Sequence, residues 1–375
     1  MKKLNVLVPS VLALFVASAA HAGATFDTPQ GKLNIGGDVE YDVTADNFNK
    51  NKYDDNGKWV VADATDSQHA DGRILLDING ERVLSNGNYA AFKLNPLWNQ
   101  QGGTGSDDVW FGFGVKNDWG FKLGHFEAYD LSPAGQDTYV VGYGDDIYRA
   151  KDGRGRNNNG GQMMFTKESG QWHFELSTQF GETGATTVSD LVSDAADEVN
   201  AELRSDRFSV VKNKDPLLAR PVVAWTGDTV TVAVGAEINL IPDAYEVRDA
   251  ATGEKESISD WTGYGATTTI KATDDLSFTL RGAYRDADEW TDYSVGPGVQ
   301  YQNFYAAYLF GKTDFDDTDV DVKTNVAYAS YKIPAVMGID NFDMYLGASW
   351  GNQKVAGEEL TNEELGGRVR FKYFF

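Results

Sequence analysis

The chain has 375 residues, 56 acidic and 33 basic side chains, no cysteine, and a formal net charge of −23. The acidic excess argues against nucleic acid as a partner, and the lack of cysteine excludes a disulfide framework. Forty glycines beside 9 prolines, with 13% aromatic residues, favour many strands joined by turns.

The first 22 residues have the features of a secretory signal peptide. Two lysines precede an apolar stretch from Val6 to Ala20, and Ala20-His21-Ala22 matches a cleavage site. This stretch is too short to span a bilayer as a helix, and no later apolar run reaches the required length. We therefore expect residues 1–22 to be removed on export, leaving residues 23–375 as one domain with a formal charge of −25.

The segment that follows alternates between apolar and polar side chains. Leu33, Ile35, Val39 and the other odd-numbered residues of this segment fall on one side of a strand. Asp38 and the other even-numbered residues fall on the opposite side. Lipid suits the first side and water suits the second. We therefore expect a transmembrane strand here, with Asp38 on the wall of a water-filled lumen.

The same alternation recurs through the chain, for example over residues 109–115, 172–180, 230–240 and 276–284. About sixteen such segments of roughly 9–12 residues can be counted, which is the length of a tilted transmembrane strand. Tight turns such as Ser85-Asn86-Gly87 alternate with long acidic or glycine-rich loops. The pattern predicts an all-β fold, a transmembrane antiparallel β-barrel with its short turns on the periplasmic side.

The last segment, residues 365–375, is also an amphipathic strand, with Arg368 and Arg370 on its polar side and a cluster of aromatic residues on its apolar side. A barrel must pair its first and last strands, because unpaired backbone groups are costly in hydrocarbon. We therefore expect Arg368 and Arg370 to lie in the lumen beside the acidic side chains of the first strand.

Residues 107–180 resemble the general diffusion porins of Gram-negative bacteria. The run VWFGFGVKNDWGFKLGHFEAYDL is similar to that family's strand, turn, strand and entry into its third loop, and GRGRNNNGGQMMFT is similar to the return. The resemblance implies a homotrimer in the outer membrane, in contact with lipid and lipopolysaccharide. It also implies that the third loop, from Ala128 to about Asn159, folds into the lumen and narrows it. No cofactor and no metal is implied.

In that family, acidic side chains of the third loop face a ladder of arginines on the wall. The acidic residues that the resemblance implies here are Glu127, Asp130, Asp137, Asp145 and Asp146. The cations that it implies at the constriction are Arg73, Arg154 and Arg156, with Arg281, Arg368 and Arg370 elsewhere on the lumen wall.

Two positions depart from the family's pattern. His125 stands where family members usually carry arginine, and Asp38 stands where they often carry lysine. Both departures favour cations or neutral solutes, because histidine is mostly uncharged at neutral pH. His125 shares its strand parity with Phe121 and Leu123, so that only a bulge would turn it into the constriction. The alternative is packing at the barrel wall or at a subunit contact.

Four tyrosines lie on or near the third loop: Tyr129, Tyr139, Tyr143 and Tyr148. Their rings could stack on sugars, as in a sugar-selective porin, or they could anchor the loop to the wall by packing and a hydroxyl hydrogen bond.

The sequence therefore predicts a passive diffusion channel for small hydrophilic solutes and ions, with a mild preference for cations or neutral solutes. A sugar-selective porin for oligosaccharides is the first alternative. An outer-membrane enzyme and a plugged barrel or adhesin are less favoured. The sequence has no cysteine nucleophile, no G-x-S-x-G and no H-E-x-x-H motif, and only His69, His125 and His173 follow the leader.

Overall fold

A computed structural model describes residues 23–49, 51–53, 59–61, 64–156, 160–181, 208–288, 290–316, 321–355 and 361–375. The predicted signal peptide lies outside these residues. No helix in the described ranges is long and apolar enough to cross a membrane.

Sixteen antiparallel strands form a closed barrel, which confirms the predicted fold. In chain order they are β1 Gly31–Asn49, β2 Thr65–Val83, β3 Asn88–Asn99, β4 Thr104–Val115, β5 Trp119–His125, β6 Gly161–Ser169, β7 Trp172–Phe180, β8 Leu217–Thr226, β9 Val230–Asn239, β10 Trp261–Lys271, β11 Leu276–Ala287, β12 Trp290–Tyr301, β13 Phe304–Phe315, β14 Asp321–Ile333, β15 Phe342–Val355 and β16 Asn362–Phe374.

The first and last strands close the barrel. Strand β1 pairs with β16 from Asp38 opposite Phe374 to Asn49 opposite Glu363. A short N-terminal strand, Ala24–Thr28, pairs with the beginning of β1 beyond the end of β16. The predicted pairing of the two chain ends is therefore confirmed, and it leaves no sheet edge along the seam for hydrocarbon to meet.

The barrel exposes large apolar side chains at alternating positions on its outside. Phe111, Phe113, Leu280 and Val234 are between 39% and 54% exposed. Their sequence neighbours point into the barrel, where Arg281 and Ala233 are buried. This alternation is the pattern expected of strands with lipid on one side and a polar interior on the other.

Tight turns join the strands at one end of the barrel. Asn117 and Gln302 adopt left-handed backbone conformations, with φ of 60° and 52°, and Gly170 does so with φ of 61°. Such conformations suit short hairpin connections between twisted strands. They lie in the turns after β4, β12 and β6 respectively.

Loop segments at the other end contain additional short elements. Phe208–Lys212, Tyr245–Asp249 and Lys255–Ser257 form a three-stranded sheet, and Asn51–Tyr53 pairs with Trp59–Val61. Two short 3-10 helices lie elsewhere: Gly142–Gly144 in the third loop, and Val336–Gly338 in the connection from β14 to β15 at the tight-turn end.

The described part of the third loop, residues 126–156, packs against the inner wall of the barrel. Leu131, Tyr148 and Ala150 pack against wall residues of β8 and β9. Val141, Tyr143 and Ile147 pack against wall residues of β13 and β14. Two of the buried hydrophobic clusters are therefore contacts between the third loop and the inner wall.

Candidate functional site

The base of the third loop is a short antiparallel ladder. The Ala128 N–H donates to the Arg154 carbonyl at 2.7 Å, and the Arg156 N–H donates to the Phe126 carbonyl at 3.0 Å. The Gln162 side chain on β6 accepts from the Phe126 N–H at 3.4 Å and donates to the Arg154 carbonyl at 3.3 Å. Both ends of the loop are thereby tied to the wall and to each other.

The outgoing half of the loop crosses the lumen. The Tyr129 N–H donates to Glu175 on β7 at 3.0 Å. Arg281 on β11 donates to the Pro133 carbonyl. The Gln136 amide donates to the Asn303 carbonyl at 3.0 Å, at the tight turn after β12. The loop thus contacts the wall at successive strands instead of lying free in the channel.

Buried charges hold the returning half of the loop. Glu237 on β9 is fully buried and accepts from the Gly153 N–H at 2.8 Å and the Tyr148 hydroxyl at 3.0 Å. Arg220 on β8 lies 3.1 Å from the same carboxylate and donates to the Ala150 carbonyl at 3.3 Å. A buried ion pair is costly when one partner is lost, so this cluster fixes the loop firmly against β8 and β9.

A second cation, which is largely buried, supports this half. Arg285 on β11 is bonded to Asp292 at 2.7 Å and to Asp152 of the loop at 3.2 Å. Its guanidinium lies 4.4 Å from the centre of the Tyr148 ring. Charge pairing and cation–π contact therefore act on the same arginine.

The four predicted tyrosines make the contacts expected of anchors. The Tyr143 hydroxyl donates to the Asn49 carbonyl at 3.3 Å, and the Tyr139 hydroxyl donates to Asp46. The Tyr129 ring stacks on the ring of His173, with centroids 5.6 Å apart. Burial, with help from Glu364 and Asp146, raises the pKa of Tyr143 to about 12. Tyr143 and Tyr148 are 7% and 6% exposed, so their faces are not available to a sugar ring.

The exposed edge of the loop carries both signs of charge. Arg154 lies 3.0 Å from Glu127 and 3.5 Å from Asp130. Arg156 lies 3.6 Å from Glu127. These four predicted residues are brought together, but the two arginines lie on the loop beside the acids and not on an opposing wall.

A β-bulge on β4 adds two carboxylates that face this edge. The pairing of β3 with β4 shifts between Leu94 and Pro96, so that Asp107 and Asp108 together lie opposite Asn95. Asp107 lies 2.9 Å and Asp108 lies 3.2 Å from Arg156. Adjacent residues of a regular strand point to opposite faces. The bulge is what turns both carboxylates into the lumen.

The wall of β1, β2 and β16 continues the same network. Arg73 lies 2.6 Å from Glu40 and 3.8 Å from both Asp38 and Asp107. Arg370 lies 3.0 Å from Glu40 and 2.5 Å from Asp42.

The loop meets this wall at Asp137. Asp137 lies 2.9 Å from both Arg368 and Arg370. The third loop and β16 are therefore in direct contact at this point.

These ion pairs form one continuous network, which we call the lumen charge network. It contains nine carboxylates and seven cations: Asp38, Glu40, Asp42, Asp77, Asp107, Asp108, Glu127, Asp130 and Asp137, with Arg73, Lys93, Arg154, Arg156, Arg368, Arg370 and Lys372. Acids and bases are interleaved on the loop and on the wall. The arrangement therefore differs from the expected separation of an acidic loop from a basic wall, and it keeps an excess of two carboxylates.

The other predicted residues lie outside this network. Arg281 is buried between the loop and β14, where it donates to the Tyr328 hydroxyl. Asp145 lies 2.9 Å from Arg149 and is 80% exposed. Asp146 accepts from Gln353 at 3.0 Å, near the loop end of β15. The two acids therefore lie at the mouth of the barrel and not beside the constriction cations.

His125 points away from the lumen. It pairs with Val109, which is 37% exposed on the outer face, and the next outward positions are Leu123 and Phe111. Gly124, with φ of 131°, precedes His125, but the pairing from Phe113 with Phe121 to Val109 with His125 continues without a register shift. The structure therefore contradicts the placement of His125 at the constriction, and strand parity is the physical reason.

Several network members were absent from the predicted site. Glu40 and Asp42 follow Asp38 at two-residue spacing, so their lumen placement was available from alternation alone. Asp107 and Asp108 gave no such signal, because the bulge depends on pairing with β3. Among the described residues, no group of three or more His, Asp or Glu side chains is placed to hold a metal ion.

The closed barrel, its exposed apolar belt and its charged lumen define the chain as a porin of the outer-membrane type. It belongs to the family described as porin-like glycoporin RafY, whose model matches residues 35–375. The curated proteins searched contain no match to it.

Solved structures share the fold at low sequence identity. A loop-deletion form of OmpT, an outer membrane protein of Vibrio cholerae, is 14% identical with a TM-score of 0.57, covering 92% of this chain and all of that one. The outer membrane channel DcaP of Acinetobacter baumannii is 13% identical with a TM-score of 0.55, covering 94% of this chain and all of that one. A substituted porin of Rh. blastica is 14% identical with a TM-score of 0.50, over 92% of this chain and all of that one.

Proposed function

We propose that this chain is a passive outer-membrane channel for small hydrophilic solutes and ions. In this proposal the narrowest passage lies between the charged edge of the third loop and the facing wall of β1–β4. The observation that carries the proposal is the lumen charge network, which joins Asp130 on the loop to Asp38 on the wall through successive ion pairs. A passage lined by polar charges admits hydrated solutes and rejects apolar ones.

The charge balance supports a mild preference for cations and neutral solutes. Nine carboxylates against seven cations leave a small negative excess. Because most charges are paired locally, the field across the passage is weaker than that of two opposing walls of opposite sign. We therefore expect modest selectivity among ions.

A sugar-selective channel is the second candidate, and the family description favours it. Stacking on Tyr143 or Tyr148 does not support it, because both rings are buried. Sugar recognition would instead rest on hydroxyl hydrogen bonds to the guanidinium and carboxylate groups of the network. Arg73, Arg154 and Arg156 keep about a third of their side-chain surface exposed and are available for such contacts.

Reconstitution of the purified protein in a planar bilayer tests the proposal. We expect ohmic conductance in potassium chloride and a reversal potential that indicates weak cation preference. Added oligosaccharides should reduce the current in a concentration-dependent way if the channel binds sugars, and should leave it unchanged if the channel is a general diffusion pore. A complete lack of ion conductance would refute the channel and favour a plugged barrel.

The trimer and the signal peptide form part of the same proposal. Native mass spectrometry of the detergent-purified protein should give three copies. N-terminal sequencing should begin at Gly23. In support of this cleavage site, Gly23 and the carbonyl oxygen of Phe375 both lie beside Gly36, so a freed amino group would lie near the terminal carboxylate.

A further inference from the structure

Strand β3 is interrupted at Asn95 and Pro96 on the side that faces β2. The two strands pair above and below this step in one register. In that register Leu76 stands opposite Pro96, but proline has no N–H to donate. The Leu76 carbonyl therefore lacks the partner that a regular ladder would supply, and a buried carbonyl without a donor is costly.

The Asn95 side chain supplies this donor. Its amide donates to the Leu76 carbonyl at 3.1 Å, and the residue is 3% exposed. Strand β2 lies on one side of β3, and β4 lies on the other. The Asn95 side chain therefore leans toward β2 and away from the bulge on β4.

The bulge requires room on the lumen face of the sheet. In a regular antiparallel pair, one side chain faces one side chain at a distance of about 5 Å. At the bulge, Asp107 and Asp108 both lie opposite Asn95, and both reach Arg156. An Asn95 side chain that leans toward β2 leaves space for two carboxylates where a regular pair would have one side chain.

Two other prolines interrupt a ladder without a bulge. Pro221 on β8 interrupts the pairing with β9, and Pro297 on β12 interrupts the pairing with β13. In both places the register is the same on either side of the interruption. The pairing of β8 with β7 and of β12 with β11 is continuous past the proline. A proline alone is therefore not sufficient to produce a bulge.

The residue before the proline distinguishes the three places. Before Pro221, the Arg220 guanidinium is directed to Glu237 and to the third loop. Before Pro297, Gly296 has no side chain. Only at β3 does this preceding side chain, that of Asn95, bond to the backbone of the strand that the proline leaves without a donor.

The register beyond the bulge is fixed by the loop that follows β3. The Asn99 N–H donates to the Gly103 carbonyl at 3.0 Å, and the Gly103 N–H donates to the Asn99 side chain at 2.7 Å. On the other side of the bulge, β3 and β4 pair regularly down to the tight turns. A substitution cannot remove the extra residue of β4, so the bulge can only move along the strand.

Either direction of movement withdraws one carboxylate from the lumen. A bulge nearer the loop would give Asp107 the parity of Val109, which faces outward. A bulge nearer the tight turn would give Asp108 the parity of Ser106, which is paired with an outward position of β3. Side chains two residues apart on a regular strand share a face. Both carboxylates are therefore in the lumen only while the bulge stays at its present position.

We propose that Asn95 and Pro96 are positioning residues that fix the bulge at Asp107 and Asp108 and thereby set the ion selectivity of the passage. Pro96 removes a ladder donor, and Asn95 replaces it in a way that clears the lumen face. The effect on selectivity rests on the proposed channel function, whereas the placement of the two carboxylates can be measured without any conductance.

The chain has no cysteine, which allows a direct test of this placement. Single variants Ser106→Cys, Asp107→Cys and Asp108→Cys are made in the wild-type background and in the double variant Asn95→Val, Pro96→Val. Each cysteine carries a nitroxide spin label, and each protein is reconstituted in lipid vesicles. Collision of the label with a water-soluble nickel chelate identifies a lumen position, and collision with dissolved oxygen, which concentrates in hydrocarbon, identifies a lipid-facing position.

In the wild-type background we expect the labels at Asp107→Cys and Asp108→Cys to collide mainly with the nickel chelate. The label at Ser106→Cys should collide mainly with oxygen. In the double variant, one of the two lumen labels should change to the oxygen class. The matched control is Pro297→Val, which restores a ladder donor at a proline without a bulge and should leave all three labels unchanged.

The second measurement is the reversal potential of the unlabelled proteins in a salt gradient. The double variant should lower the cation-to-anion permeability ratio by up to roughly fivefold, which is the effect of one carboxylate of the pair. Pro297→Val should keep the wild-type ratio. The single variants Asn95→Val and Pro96→Val, measured in the same way, provide the comparison if the double variant does not fold.

Lumen-type labels at both Asp107→Cys and Asp108→Cys in the double variant would overturn the proposal, whatever the permeability ratio. The same label change in the Pro297→Val control would overturn it as well, because the effect would then not be specific to β3. A wild-type protein that conducts no ions would refute the channel, and the label positions would still decide the positioning role of Asn95 and Pro96.

Discussion

Neutralising the bulge carboxylates is the most direct test of the constriction. The double variant Asp107→Asn, Asp108→Asn keeps the size of both side chains and removes two negative charges from the lumen charge network. Arg156 then loses partners at 2.9 Å and 3.2 Å and keeps Glu127 at 3.6 Å. Nine carboxylates become seven, so the excess of negative charge over the seven cations disappears.

The size of the effect follows from Coulomb's law. A unit charge about 5 Å from the path of an ion contributes about 0.8 kcal/mol in bulk water. Two such charges, reduced by screening over a Debye length of about 10 Å at 0.1 M salt, contribute about 1 kcal/mol, of opposite sign for a cation and an anion. Their removal should therefore lower the cation-to-anion permeability ratio by up to roughly thirtyfold. The change should shrink as salt is raised.

Reversal potentials in a salt gradient across a planar bilayer measure this ratio. Asp118→Asn is the matched control, because Asp118 lies in a tight turn and pairs with Lys167 on the outer face. The control should keep the wild-type ratio. If the double variant also keeps the wild-type ratio at 0.1 M salt while conducting normally, the bulge does not line the ion path and the reasoning fails.

Four further outcomes follow from the same structure. Asp145→Asn with Asp146→Asn should shift the reversal potential in the same direction but by less than the bulge variant, because both acids lie at the mouth of the barrel. Glu237→Ala should cost about 3–5 kcal/mol, measured by urea unfolding in detergent, because it leaves Arg220 charged and buried; an unchanged unfolding midpoint would contradict the role of the buried pair. Gly155→Ala should make the third loop sensitive to limited proteolysis, because φ is 132° and a Cβ atom would lie 2.1 Å from the Phe126 carbonyl oxygen; a loop as resistant as wild type would contradict this. The Tyr143 anchor is at full strength below the ordinary tyrosine pKa of about 10 and is lost as the pH rises through its folded pKa of about 12; single-channel noise should therefore be constant to pH 10 and increase above it, whereas a Tyr143→Phe channel should not show this increase.

The barrel could be predicted from the sequence because its signal is local. A two-residue alternation identifies each strand without knowledge of its neighbours. The amphipathic strands at the two ends of the chain identify the pair that closes the barrel. Parity alone predicts Asp38, Arg368 and Arg370 on the lumen side, where the structure has them in ion pairs. The loop insertion came from the family resemblance of residues 107–180, since periodicity says nothing about a segment without regular structure.

The details of the site depended on pairing between strands. The bulge at Asp107 and Asp108 exists only because β4 has one more residue than β3 at that level. Arg154 and Arg156 were predicted to be wall cations, but the ladder at the base of the loop places them beside Glu127. His125 was assigned by motif position against its own parity, and the parity was right.

The third loop combines two kinds of electrostatic contact that have different consequences. On its buried side, Glu237, Arg220 and Arg285 hold it to the wall with little exposure to solvent, so that losing one partner is expensive. On its exposed side, Arg154 pairs with carboxylates of the loop and Arg156 pairs with Glu127 of the loop and with Asp107 and Asp108 of β4. Water screens these half-exposed pairs, so an exchange of partners costs little. In the proposed channel, a passing solute can therefore replace one exposed contact at a time while the loop stays in place. This division explains how a channel can be lined by ion pairs and still allow solutes to pass. It also predicts that substitutions on the buried side of the loop change the stability of the barrel, whereas substitutions on its exposed side change the selectivity of the channel.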